Sequence, residues 1–161
     1  MSPRLRLAVN RLREQPLDGP TIDRFIDRHG SPIIEGERAT FLFRGAVDEV
    51  WLRHRVVGLP DPMALERIGD SDLWAVTTVL PEGSRVEYQI EIRKGESYER
   101  FNDPLNSRLA HSPMGSSSVC AAIGYRVPDW VSPDPEARPG ELVEEVVHSK
   151  ALGRDQPVQI Y

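Results

Sequence analysis

The residues whose types suit recognition chemistry are Arg44, Trp51, Arg53 and His54, which lie close together in the chain. If Val50 and Leu52 face a core, the two-residue period of a strand puts Trp51 and Arg53 on the opposite face. An outward Trp stacks on a sugar ring or on a flat aromatic ring such as a catechol. An Arg forks onto an anion or stacks on the same ring. Trp51 has a second use, as a buried anchor beneath the N-terminal helices, where it would contribute more than the ~1.5–3 kcal/mol of a buried aliphatic. The sequence leaves both uses open and leans slightly to the covered one. Trp74, in Asp72-Leu73-Trp74, reads as core. Tyr98, Arg100 and Asp103 follow a turn and fit either the lining of a mouth or a solvated rim, with the rim favoured.

Catalytic patterns are missing. Gly115-Ser116-Ser117-Ser118-Val119 lacks the second glycine of a nucleophile elbow and does not follow a buried strand. The four histidines, His29, His54, His111 and His148, stand at no metal-ligand or metalloprotease spacing. No phosphate-binding Gly-x-x-x-x-Gly-Lys loop occurs. The expectation is therefore no catalytic triad, no metal and no cofactor. A net charge of −5 over 161 residues argues against nucleic acid as a partner. No apolar run nears the roughly 18 residues of a membrane helix. One cysteine, Cys120, excludes an intrachain disulfide and fits a cytoplasmic setting.

The elements that must position these side chains are mostly strands. Ser2-Pro3 reads as a helix start, with Leu5, Ala8, Val9 and Leu12 on one face and Arg4, Arg6, Arg11 and Arg13 on the other. This basic helix is expected to dock on its own domain rather than on a membrane. Thr21 is the expected cap of a second short helix, with Ile22, Phe25, Ile26 and His29 on one face and Gly30 as the stop. From Ala39 the period changes to two. Phe41 and Phe43, Val50 and Leu52, Trp74 and Val76, and Val86, Tyr88, Ile90 and Ile92 each alternate with the opposite face. Lys94-Gly95-Glu96 reads as a hairpin loop leading into Ser97–Phe101. Short strands with frequent turns predict a β-sandwich. Val119 to Ile123 is expected to add one strand. Asp129 to Gly140 reads as a Pro-rich linker. Leu142 to His148 and Val158 to Tyr161 read as two further strands that cannot complete a core alone.

Several segments together resemble a known family. His29-Gly30-Ser31-Pro32-Ile33-Ile34-Glu35 followed by Thr40-Phe41-Leu42-Phe43-Arg44-Gly45 is similar to the N-terminal segment of enterochelin (enterobactin) esterases and their relatives. The likeness continues through Val50-Trp51-Leu52, Asp72-Leu73-Trp74, Arg85-Val86-Glu87-Tyr88 and Asn102-Asp103-Pro104-Leu105-Asn106. Pro128-Asp129-Trp130, His148-Ser149-Lys150-Ala151-Leu152-Gly153 and Val158-Gln159-Ile160-Tyr161 resemble the junction into the esterase domain.

The resemblance implies an all-β fold: an immunoglobulin-like (E-set) β-sandwich with short N-terminal helices and a C-terminal extended segment. The helix signals give a helical segment at 1–30, and the resemblance, which begins near Phe25, implies the sandwich at 31–127 and a linker with the first strands of a hydrolase domain at 128–161. The implied partner is a C-terminal α/β-hydrolase domain, absent from this chain, that cleaves esters of ferric catecholate siderophores. This chain is then a fragment and an accessory lobe. The candidate substrate contacts are Trp51, Arg53, Arg44, Tyr98 and Arg100. Two alternatives are a free-standing carbohydrate-binding module of the glycogen-binding type, with a sugar ligand on the Trp51 face, and an interaction module that forms a homodimer.

Overall fold

A computed structural model describes residues 7–132, 134–138 and 140–161. The chain divides into two compact units, Met1–Arg126 and Val127–Tyr161.

The first unit opens with α1 (Ala8–Leu12) and α2 (Gly19–His29). The expected start at Ser2-Pro3 lies outside the described residues. The cap of α2 is Asp18 rather than Thr21, because the Asp18 carboxylate accepts the Thr21 backbone N–H at 2.8 Å. Gly19 and Pro20 then occupy the first turn, where proline's missing N–H costs nothing. Hydrogen bonding by Thr21 holds the Asp18 carboxyl below its ordinary value. At the far end Gly30 turns at φ 64° and its N–H closes on the Ile26 carbonyl at 2.8 Å, ending the helix as expected.

Two antiparallel sheets follow. One contains β1 (Ile33–Glu35), β2 (Arg38–Arg44), β5 (Glu66–Arg67) and β6 (Leu73–Val79), in the order β1-β2-β6-β5. The other contains β3 (Glu49–His54), β4 (Met63–Ala64), β7 (Arg85–Lys94), β9 (Leu109–Ser112) and β10 (Gly115–Ala121), in the order β4-β3-β7-β10-β9. In the same sheet β8 (Ser97–Phe101) pairs with the C-terminal half of β7. The β7–β8 turn places Gly95 at φ 60° between the paired Lys94 and Ser97, the first central position that a type II′ hairpin reserves for glycine.

The sheets pack face to face as a sandwich. Phe41, Phe43 and Trp74 from the first meet Val50, Leu52, Tyr88 and Ile90 from the second. Phe41 and Tyr88 meet edge to face, with ring centroids 4.8 Å apart. Trp74 is core as expected, and its indole N–H donates to the Gly45 carbonyl at 3.0 Å. The first sheet is buried on both sides. Leu42, Leu73 and Ala75 point away from the sandwich interior and are covered by Ala8, Val9, Leu12 and Ile22 of the two helices. That explains why Thr40-Phe41-Leu42-Phe43 is a nearly unbroken apolar run rather than a clean alternation.

Cys120 is buried between the sheets, and burial pushes its thiol up to about 12. Iodoacetamide at neutral pH should therefore label Cys120 only when the sandwich opens, so the labelling rate should follow unfolding. Rapid labelling of the native chain would contradict this packing.

The second unit is described by itself. A single 3-10 turn (Asp129–Val131) precedes a hairpin of β11 (Val143–Ser149) and β12 (Arg154–Ile160), paired from Val143↔Ile160 to Ser149↔Arg154. Register puts Val143, Val147, Val158 and Ile160 on one face. A two-stranded hairpin cannot bury them, and Val143, Val147 and Ile160 are exposed. Among the described residues, no helix is long and apolar enough to cross a membrane.

Candidate functional site

With the helices over the first sheet, the outer face of the second sheet stays open to solvent. β3 alternates strictly: Val50, Leu52 and His54 are buried, while Glu49, Trp51 and Arg53 are half-exposed. Trp51 is therefore not covered by the N-terminal helices, which settles the choice left open by the sequence.

Register assembles the rest of the face. Trp51 lies opposite Glu91 of β7, and Glu91 lies opposite Arg100 of β8. The Trp51 ring stacks on Tyr98, with centroids 6.4 Å apart and planes 22° apart. Arg93 reaches the Tyr98 ring, its guanidinium carbon 6.0 Å from the centroid. Arg100 Nε donates to Glu91 at 2.9 Å. Arg53 Nε lies 3.8 Å from carboxylate oxygens of both Asp61 and Glu91. That nitrogen is buried and has no hydrogen-bond partner among the described residues. The face thus combines an aromatic platform, a balanced set of charges and one unclaimed guanidinium N–H. It can stack a flat ring on the Trp51–Tyr98 surface, while the Arg53 N–H lies shielded beneath Asp61 and Glu91. Nothing in it supplies a nucleophile.

Of the expected contacts, Trp51, Arg53, Tyr98 and Arg100 come together, and Arg44 does not. Arg44 ends β2 on the helix-covered side of the other sheet. It bonds Asp72 at 3.1 Å through Nε and also bonds Asp23 of α2. The hydrogen bond it donates to Asp23, then that to Asp72, raises its pKa. Arg44 is a tie between helix and sheet. The sequence grouped it with Trp51 by proximity in the chain, which a change of sheet between β2 and β3 defeats. Glu91 and Arg93 were legible as outward residues of β7, but only the pairing of β7 with β3 and β8 brings them to Trp51 and Tyr98.

Asp103 is the larger surprise. Expected at a rim or mouth, it is 2% exposed. Its Oδ2 accepts the Tyr88 hydroxyl at 2.7 Å and the Ser31 hydroxyl at 2.8 Å, and its Oδ1 accepts the Leu105 N–H at 2.8 Å. Ser118 Oγ accepts the Asp103 N–H at 2.8 Å. Asn106 donates to the Tyr88 oxygen at 3.0 Å and to the Val119 carbonyl at 2.9 Å. Burial raises the Asp103 carboxyl above its ordinary value, against the opposing pull of the hydrogen bonds from Tyr88, Leu105 and Ser31. Burial, reinforced by the Asp103 charge, raises the Tyr88 phenol. The network stitches residues 102–108 to both sheets, and every oxygen of the Asp103 carboxylate is already claimed within it.

The histidines also serve structure. His54 is buried, and its Nδ1 accepts the Val56 N–H at 3.1 Å. Its Nε2 therefore carries the proton, which it donates to the Pro60 carbonyl at 2.8 Å. His148 meets Asp155 across the exposed hairpin at 2.7 Å.

No family profile and no curated protein matches the chain. Solved structures do. The enterobactin esterase of Shigella flexneri, determined with 2,3-dihydroxy-N-benzoyl-serine, aligns at a TM-score of 0.56 and 20% identity, covering 86% of this chain and 44% of the esterase. The ferric enterobactin esterase of Salmonella typhimurium gives 0.58 and 21%, covering 76% and 40%. Another structure, of enterochelin esterase from Shigella flexneri, gives 0.57 and 19%, covering 91% and 46%. The chain therefore shares a fold with a region that is less than half the length of each of these esterases.

Proposed function

We propose that this chain is the non-catalytic accessory lobe of an enterochelin-esterase-like hydrolase, an immunoglobulin-like E-set sandwich whose Trp51–Tyr98 face helps to position substrate. The supporting observation is a shared fold over most of this chain with less than half of an enterobactin esterase. The polar residues of this chain fit that division of labour, because its buried carboxylate and histidine are spent on structure. The partner is an α/β-hydrolase domain continuing the polypeptide. The uncovered valine and isoleucine face of the β11–β12 hairpin is the surface such a domain would cover. The substrate class is an ester of a catecholate siderophore, handled in the cytoplasm, whose catechol ring suits stacking by Trp51 and Tyr98.

Two measurements test the reading. Immunoblotting source-cell lysate with an antibody to this domain should show a band well above the mass of 161 residues. In that longer polypeptide, Trp51→Ala with Arg53→Gln should raise KM for a bulky catecholate ester about tenfold, with little change for a small nitrophenyl ester. Equal effects on the two substrates would remove the positioning role.

The exposed Trp51–Tyr98 stack also suits a sugar ring, the second reading. It requires calorimetric binding of malto-oligosaccharides that Trp51→Ala abolishes. A band at the mass of this chain alone, together with sugar binding, would exchange the two readings.

A further inference from the structure

A cleft of about 470 Å³ lies between α1 and α2. Its apolar floor is formed by Ala8, Leu12 and Phe25, and its rim by Arg11, Arg24 and Arg28. No Asp or Glu lines it among the described residues. The chain as a whole carries 25 acidic side chains against 20 Lys and Arg, so the cleft reverses the sign of the molecule locally.

The two arginines of α2 make few contacts. Arg11 lies 3.7 Å from Glu35, whose two oxygens already accept the Ala8 N–H at 2.9 and 3.0 Å. Arg24 donates to the Thr21 hydroxyl at 3.0 Å. Arg28 has no ion pair or side-chain hydrogen bond among the described residues. Arg24 and Arg28 are four residues apart on α2 and so share one helix face. His29 closes one end, its ring 4.7 Å from that of Phe25.

We propose that the α1–α2 cleft binds a small aromatic carboxylate, its ring on Phe25 and its carboxylate between Arg24 and Arg28. Guanidinium forks match a planar carboxylate in geometry as well as charge. The volume falls within the range of small-molecule sites, about 300–1,000 Å³. A nucleic acid or an anionic membrane would meet three arginines in a concave site on an otherwise acidic molecule, which disfavours a polyanionic surface. The inference stands apart from the esterase reading, because it concerns the helices and not the Trp51 face.

The test is calorimetry and amide NMR on the full 161-residue chain with sodium benzoate. Saturable binding is expected at a dissociation constant of about 1 mM or tighter, the range open to a ligand of this size. Arg24→Gln combined with Arg28→Gln should weaken it about tenfold or more while the thermal midpoint stays unchanged. Both side chains are exposed, so loss of fold is not expected. The proposal fails if no saturable shift occurs by about 10 mM benzoate. It also fails if neutral benzyl alcohol binds equally well, if the double variant binds like the parent, or if inorganic phosphate binds as tightly as benzoate. Binding to phosphatidylglycerol–phosphatidylcholine vesicles without benzoate binding would replace it with a membrane contact.

Discussion

Asp103→Ala should lower the unfolding free energy by about 2–5 kcal/mol, because two buried hydroxyls and one backbone N–H lose their acceptor together. The hydroxyls belong to Ser31, ahead of the first sheet, and to Tyr88, in the second. The N–H belongs to Leu105, in the segment that returns to β9. Their loss should loosen residues 104–108 first, visible as faster amide exchange there than in β3 or β6. Asp103→Asn keeps an acceptor and the volume, so it should cost less, about 1–3 kcal/mol. The pH profile separates carboxylate from amide. Burial raises the native pKa of Asp103 above the unfolded one, so the native state holds the proton more tightly. Its contribution is fully present below the ordinary carboxylate value and declines as pH rises through the raised native value. Asp103→Asn should remove that descending component from urea melts recorded across the acid range. A profile unchanged by Asp103→Asn would show that Asp103 does not titrate differently in the two states.

Phe41→Ala should cost about 3–5 kcal/mol, the range for emptying an aromatic site in a packed core. Phe41 is 1% exposed and touches Tyr88 edge to face, so the cavity would open between the sheets. The neighbouring Leu42→Ala should cost about 2–5 kcal/mol by a different route, since Leu42 packs under the helices. The two are distinguishable. Leu42→Ala should raise amide exchange in α1 and α2 at little cost to β7, whereas Phe41→Ala should act on the whole sandwich. Equal patterns of exchange would mean that the two cores unfold as one unit.

Much of this architecture was readable in advance, and the exceptions have physical causes. The alternation at Val50–Leu52 and Val86–Ile92 marked strands with one wet face, which is how β3 and β7 lie. The hairpin at Gly95 was legible because Lys94-Gly95-Glu96 is a turn-type run between two strand-like segments. β10 spans Gly115–Ala121 where Val119 to Ile123 was expected, because Ser116 to Ser118 carries no apolar alternation. Ser118 is buried and its hydroxyl is claimed by the Asp103 backbone, a pairing invisible from serine's usual preference for the surface. β4, β5 and β9 are too short to show a period. β12 starts at Arg154, ahead of the expected Val158, because Arg154 to Pro157 carries no apolar alternation. The recognition face was half legible. Side-chain direction came from the period, but the meeting of Trp51 with Tyr98 depends on β8 folding back along β7, and the departure of Arg44 depends on the chain changing sheets.

The three tryptophans stand at three depths. Trp74 is sealed between the sheets, Trp51 is half-covered on an outer face, and Trp130 is 84% exposed in the second unit. The chain therefore carries its own fluorescent labels. Trp130 should emit near the water limit and quench freely with iodide, Trp74 should emit blue-shifted and resist quenching, and Trp51 should fall between. With Trp130→Phe and Trp74→Phe together, the remaining signal comes from Trp51 alone. A ring settling on that face could then be followed by light, with nothing attached to the protein.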